Sequence, residues 1–528
     1  MSMSANSGDA ADSETPLNIV LVMADQLSAF ATSPYGNSDV LTPNMAELAR
    51  RGTLFERAYC NSPLCSPSRA SLMTGRLPGD IPVNDNFEEL PASIPTFAHH
   101  LRRSGYRTVL SGKMHFVGPD QLHGFEERLT TDIYPSDLRG AQDWEALGDP
   151  PRPPAVRAGR PMAAMVPAAG PVPWSAQLDY DEEVQFRALE RLRHFARRED
   201  SAQPWFLCVS FTQPHDPYAP AQEYWDRYEG RELEVPRRPE GGWPLTVWDE
   251  WVNAFQGVDL VDTSDEVVRR LRRAYYGMVS YIDDKLGEII AEIERLGQSE
   301  RTVIILTSDH GDMVGEHGMF FKRTFREWSS RVPLIFAGPG IGQGESVGHP
   351  VSLIDLFPTI VSLAGATEDA PLDQCASDRP GQDLLAVGSS PRPVIIDYNA
   401  NGVIATTRTV IDGRWKYVYV HGREQLLYDL ESDRDELIDV SASVANQEVM
   451  ARLRAVCFDG WDPQVTQAQI LRGQRHRAFI GESLAKGVVH EWDHQPFFDA
   501  RRQHMRRPAG EAWDRSYVDQ GNPLLGGG

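Results

Sequence analysis

Five short stretches of this chain are apolar without alternation: NIVLVMA (18–24), YRTVLSGK (106–113), PWFLCVSF (204–211), TVIILTSD (302–309) and VPLIFAGP (332–339). A strand with one wet face alternates apolar and polar residues, whereas a strand covered on both faces does not. The period changes between these runs. Residues 181–196 put Val184, Ala188, Leu189, Leu192, Phe195 and Ala196 on one helical stripe. Residues 263–296 open on Thr263 and Glu266, a capping-box pattern, and run amphipathically to a stop at Gly297. Buried strands alternating with helices predict an α/β fold around a large, mainly parallel sheet.

That texture defines a catalytic-size region over 16–385, preceded by a polar segment, 1–15, expected to be disordered. Inside it, 145–174 is Pro/Ala-rich and without period, which predicts a surface excursion or lid. From 386 to 528 the pattern is different. Short β-branched runs separated by Asp-Gly and His-Gly turns predict an appended antiparallel sheet, and an aromatic-rich tail ends the chain. Such a tail is expected to dock on its own subunit or a neighbour's, so a homo-oligomer is expected.

Charge narrows the partners. With 75 acidic against 52 basic side chains the net charge is -23, which argues against nucleic acid and membrane surfaces. An anionic substrate would need positive charge gathered locally. The five cysteines (Cys60, Cys65, Cys208, Cys375, Cys457) are odd in number and scattered, as suits reduced thiols. No basic n-region precedes the first apolar run, which is too short for a signal sequence or a membrane span. A cytoplasmic location is expected.

Polar residues gather where the buried strands stop. Asp25 and Gln26 follow the first; Lys113 and His115 close the second; His215 and Asp216 follow the third; Asp309 and His310 follow the fourth. Taken singly, each has an ordinary role as a cap, a turn or a solvated charge. Ligands bind outside the carboxyl ends of strands in open α/β sheets, so four such ends converge on one crevice. Asp25, Asp309 and His310 form a mixed donor set suited to Ca²⁺ or Mn²⁺. Lys113, His115, His215 and Lys322 would supply positive charge and protons to an anion on that ion. Cys65, in PLCSPSRASLMTG (63–75), reads as a small buried hydrophobe or as a group at a helix N-terminus, where anions are favoured.

That last segment resembles the first signature of the type I, formylglycine-dependent sulfatases, whose core is Cys-x-Pro-x-Arg. GYRTVLSGKMH (105–115) resembles the second, and Asp25 and SDHGD stand in the expected order. SIPTFAHHLRRSGY, SGKMHFVGPDQLHGFEERLTTDIYP and EWDHQP are similar to the choline-sulfatase branch. The resemblance implies an alkaline-phosphatase-like α/β/α sandwich followed by a smaller antiparallel-sheet domain. It implies that a maturation enzyme oxidises Cys65 to formylglycine, and that Asp25, matured Cys65, Asp309 and His310 bind the metal. It gives Arg69 the task of holding the formylglycine, and Lys113 and His115 that of positioning it and the sulfate. His215 and Lys322 bind sulfate and help the alcohol leave, and Asn86 contacts the sulfate.

Gln26 and His310 depart from the commoner Asp and Asn of the family. For choline, Trp144 or Trp174 with Asp397 would hold the quaternary ammonium. The implied reaction is hydrolysis of a small alkyl sulfate, choline sulfate being the best single candidate. A phosphonate monoester or phosphodiester hydrolase on the same scaffold is the alternative, and a metal-binding protein with unconverted Cys65 is the second.

Overall fold

The computed structural model describes residues 16–134, 142–197, 203–366, 381–386 and 390–486. The expectations for residues 1–15, for Cys375 and for the aromatic tail, EWDHQP included, lie outside these. The first sheet comprises β1 (Asn18–Ala24), β2 (Gly52–Tyr59), β3 (Arg107–Gly112), β4 (Glu127–Arg128), β5 (Trp205–Ser210), β6 (Thr302–Ser308), β7 (Arg331–Val332), β8 (Leu334–Ala337) and β9 (Glu345–Ser352). Its order is β4-β3-β5-β1-β6-β8-β2-β7, with β9 on β2. The run from β4 to β6 is parallel throughout.

Continuous apolarity has the predicted cause. Ile19, Leu21 and Met23 of β1 enter one hydrophobic cluster, while Val20, Val22 and Ala24 enter another on the opposite face. The helices Ala176–Arg197 and Asp265–Arg295 cover the second face; Phe97–Arg103 and Leu356–Leu363 cover the first.

Three local expectations are corrected. β8 is antiparallel to both β6 and β2. The chain returns from β6 through a long loop whose short helical turns include Glu327–Ser330, with no helix crossing the sheet face, so it re-enters in the opposite direction. The Thr263–Glu266 capping box does not form, because the helix starts at Asp265 after Ser264. The other long helix begins at Ala176, five residues before the expected Asp181.

The excursion is packed down. Leu147, Val156, Ala163 and Val166 are buried, and Gly170 N and Val172 N donate to Tyr218 O and Pro220 O. Beyond it, β10 (Val394–Tyr398), β11 (Thr407–Asp412), β12 (Trp415–Val420) and β13 (Glu424–Asp429) form a four-stranded antiparallel sheet. Gly413 and Gly422, in the Asp-Gly and His-Gly turns, take the positive φ values such turns require. Lys416 of β12 is fully buried, with Nζ 2.7 Å from both Glu327 and Glu436 and 3.1 Å from Phe325 O. The small sheet thereby grips the segment that follows Lys322. Among the described residues, no helix is long and apolar enough to cross a membrane.

Candidate active site

The shared direction of β1, β3, β5 and β6 delivers Asp25, Lys113, His215, Asp309 and His310 to one end of the sheet. Gly112 makes the turn into Lys113 possible: its φ is +112°, and a Cβ there would stand 1.9 Å from Ser210 O. Opposite these ends, Leu64 is extended and Cys65 opens a helix, Cys65–Thr74, whose ten residues are all buried. Ser66 N donates to Asn86 Oδ1 at 3.0 Å, so Asn86 occupies the helix N-terminus beside Cys65.

Arg69 lies four residues past Cys65, one turn along and on the same face. Its Nε donates to Asp309 Oδ2 at 2.8 Å and its Nη2 to Asp25 Oδ2 at 2.9 Å, while Nη1 reaches Lys113 O and Ser210 Oγ. Lys113 Nζ is 2.5 Å from the same Asp25 oxygen. Two cations therefore hold one oxygen of Asp25 and one of Asp309, leaving Oδ1 of each toward Cys65 and His310.

Ligand atoms of Asp25, Cys65, Asp309 and His310 lie within 4.8 Å of one another, and all four residues are buried. His310 Nδ1 is 3.1 Å from Gly311 O, which can only accept. A proton on Nδ1 is satisfied there, which makes Nε2, 3.3 Å from Cys65 Sγ, the nitrogen available to an ion. Two carboxylate oxygens, an imidazole nitrogen and the Cys65 side chain fit a divalent cation.

The field at Cys65 is unusual for this chain. Burial pushes its thiol up, but Lys113, Lys322 and His310 outweigh burial and bring it well below an ordinary thiol. Burial, the largest influence on each, lifts Cys208 and Cys457 to about 12. Asp25 is raised by burial and by Cys65, yet Lys113, His215 and Arg69 hold it below the usual carboxylate range.

Four further groups complete the crevice. Gln26, at φ +71°, donates from N to Asp309 Oδ1 and from Nε2 to Asp312 Oδ2 at 2.5 Å and Asp216 Oδ1 at 3.2 Å. Its Oε1 accepts from Lys322 Nζ, which also lies 2.6 Å from His215 Nε2. Asp132 Oδ2 accepts from Met114 N and His115 N, holding His115 at φ +57°. Tyr134 stacks on His115, carries Lys113 Nζ 3.9 Å above its ring, and places its hydroxyl 2.9 Å from His215 Nδ1. Asp181 accepts from Thr212 N and Gln213 N, fixing the loop that leads to His215; burial lifts its carboxyl to about 7.

Comparison with known proteins assigns this arrangement. The profile described as sulfatase matches residues 17–366. This chain belongs to the sulfatase family. A profile for the C-terminus of choline sulfatase matches residues 468–514 of the sulfatase, and one for the C-terminus of N-sulphoglucosamine sulphohydrolase matches 315–458. A choline-sulfatase of Rhizobium meliloti is 40% identical over 504 residues, covering 93% of this chain and 95% of its own. Arylsulfatase K of Bos taurus is 27% identical, covering 91% and 84%. The phosphonate monoester hydrolase of Agrobacterium radiobacter superposes with a TM-score of 0.64 at 25% identity, over 86% of this chain and 96% of that one. The sulfatase has the alkaline-phosphatase-like architecture and the second, antiparallel sheet expected of it.

Cys65, Arg69, Asp25, Lys113, His115, His215, Asp309, His310, Lys322 and Asn86 thus meet in one crevice of this sulfatase. Asp397 is spent elsewhere: both of its oxygens accept from Arg408, at 2.7 and 2.8 Å. Trp144 is buried with Nε1 donating to Ala400 O, and Trp174 is 59% exposed. Sequence reasoning passed over Tyr134 and Asp132, although both sit in TTDIYP, one of the segments that carried the resemblance.

Proposed function

We propose that this sulfatase hydrolyses a small alkyl sulfate, choline sulfate foremost, to the alcohol and sulfate. Near full-length 40% identity to a choline-sulfatase is the observation that supports the reading most. In this reading Asp25, Asp309, His310 and the matured Cys65 hold a Ca²⁺ or Mn²⁺ ion. A bound ion would supply Lewis-acid polarisation of the sulfate, and formylglycine formed from Cys65 would supply the oxygen nucleophile.

The remaining work is done by the chain's own side chains. Arg69 pairs with both aspartates and fixes their outer oxygens. Lys113, His115 and Asn86 surround the sulfate, the first steadied by the face of Tyr134. Asp216 O, 2.6 Å away, can only accept, so His215 Nδ1 donates to it and Nε2 faces Lys322 Nζ at 2.6 Å. Lys322, buried against Gln26 and His215, is then the group placed to hand a proton to the leaving alcohol oxygen. Burial of the whole set excludes water and strengthens each charge.

A maturation enzyme acting on Cys65 and a homo-oligomer built through the tail belong to the same reading. A cytoplasmic setting accords with Cys60, Cys65, Cys208 and Cys457 all being free thiols. Side-by-side kcat/KM values for choline sulfate, an aryl sulfate and a phenyl phosphonate monoester test it. Choline sulfate is expected to be fastest; a faster phosphonate ester would give the scaffold to the alternative chemistry.

A further inference from the structure

Six arginines among the described residues are buried: Arg69, Arg272, Arg323, Arg326, Arg408 and Arg477. Five of them meet a carboxylate: Arg69 on Asp25 and Asp309, Arg272 on Glu316, Arg326 on Asp249, Arg408 on Asp397, and Arg477 on Asp85. Arg323 is different. It is 7% exposed, its Nε and Nη1 have no hydrogen-bond partner, and Nη2 meets the Met162 sulfur at 3.8 Å. A guanidinium withdrawn from water without a counter-anion costs on the order of several kcal/mol.

The backbone keeps it in that position. Arg323 adopts φ +88°, its carbonyl accepts from Trp248 Nε1 at 2.8 Å, and its Cδ packs where a Cβ on Gly402 would stand 3.4 Å away. It directly follows Lys322, whose ammonium reaches His215 and Gln26. Its charge acts on the same group as theirs: burial raises the Asp216 carboxyl, and His215, Lys322 and Arg323 bring it below its ordinary value. A buried cation with no ion pair among the described residues therefore directly follows Lys322, with the Met162 sulfur against its Nη2.

We propose that Arg323 is a second anion-binding position, which takes the sulfate group of the ester as it enters and of free sulfate as it leaves. The inference rests on the sulfate-ester reading and adds to it a residue that selects for the anionic end of the substrate. A chain of net charge -23 repels an anionic ester, so productive capture needs a cation that forms no ion pair with a carboxylate of the described residues. A planar guanidinium matches two oxygens of a sulfate group. For zwitterionic choline sulfate it also sets the direction of entry, since it attracts the sulfate and repels the ammonium.

The test uses the full-length enzyme with choline sulfate, measuring kcat/KM as a function of ionic strength and inhibition by inorganic sulfate. Arg323→Met is expected to lower kcat/KM at low salt by about tenfold, the loss falling on KM, and to flatten the salt dependence. It is also expected to weaken sulfate inhibition by about tenfold, whereas Arg323→Lys keeps most of both effects. A change confined to kcat/KM assigns the site to the entering ester, and one confined to inhibition assigns it to the departing ion; each supports the proposal. Unchanged salt dependence together with unchanged sulfate inhibition overturns it. So does an equal fall in kcat and kcat/KM that lysine does not rescue, the mark of a purely structural residue. If the phosphonate ester outpaces choline sulfate, the sulfate-ester reading falls, and Arg323 is judged by the same two measurements on that anionic ester.

Discussion

Arg69 Nε and Asp309 Oδ2 lie 2.8 Å apart with neither side chain reaching solvent, and the same guanidinium closes on Asp25 at 2.9 Å. One residue thus neutralises two buried carboxylates that a metal must later share. Arg69→Ala strips Asp309 of its guanidinium partner and leaves Asp25 to Lys113 alone. It is expected to destabilise the fold by about 3–5 kcal/mol, as for other broken buried pairs. Urea unfolding measures this, and added Mn²⁺ should recover part of the loss by replacing the missing charge.

Cys65 is the pivot of the proposed chemistry. Cys65→Ala is expected to reduce sulfate-ester hydrolysis by at least about 10³-fold, the scale of losing a nucleophile. Near-UV circular dichroism should stay unchanged, because only one small side chain is trimmed. Mass spectrometry of the peptide spanning residues 63–75, from protein made in its native host, should show an aldehyde; an intact thiol there points to the non-enzymatic alternative.

Gln26 carries no charge yet touches Lys322, Asp216 and Asp312. Gln26→Leu removes the acceptor that aims Lys322 at His215. The expected result is a fall in kcat of about 10–100-fold with a smaller change in KM, the pattern of a lost proton-transfer geometry. Steady-state kinetics against esters of poor and good leaving alcohols discriminates further: the defect should shrink as the alcohol leaves more readily.

Removal of the divalent ion should reverse cleanly. Prolonged chelation is expected to abolish hydrolysis, and Ca²⁺ or Mn²⁺ titration to restore it, with a rise in thermal midpoint as the four donors are filled. Recovery of activity in the strict absence of divalent ions would contradict the assignment of Asp25, Asp309 and His310.

Stability should depend on His317. Burial first, then Arg326, push its imidazole down to about 3, against a weaker pull from Asp249. The folded state therefore refuses a proton that the unfolded chain accepts below about pH 6.5. Stability from this residue is complete above that pH and is lost as pH falls toward 3, by about 1.4 kcal/mol per pH unit. His317→Asn should flatten the acid limb of a urea-midpoint profile by that slope; an unchanged limb would place the acid sensitivity elsewhere.

Much of this architecture was legible in the sequence, and the reasons are local. NIVLVMA and TVIILTSD show two-sided burial in every residue, and the polar residue that ends each run marks a site position. VPLIFAGP is likewise apolar without alternation but does not run in the same direction. Apolarity reports burial, whereas the sense of a strand is decided by the route the chain takes to reach it. Tyr134 and Asp132 stayed unread, and Gln26 was read only as a strand-end residue and a departure from the family's Asp, because their importance lies in contacts with other segments, up to about 300 residues away between Gln26 and Lys322. Arg323 was illegible for the opposite reason, since what distinguishes it is a partner it does not have.

The grip of Lys416 on Glu327, Glu436 and Phe325 O has a consequence for how such a protein could be cut or recombined. A graft exchanging only the first sheet between two relatives would sever the anchor of the stretch bearing Lys322 and Arg323. What looks like an accessory at the C-terminal end is a jaw of the catalytic vice, and viable chimeras must inherit both halves together.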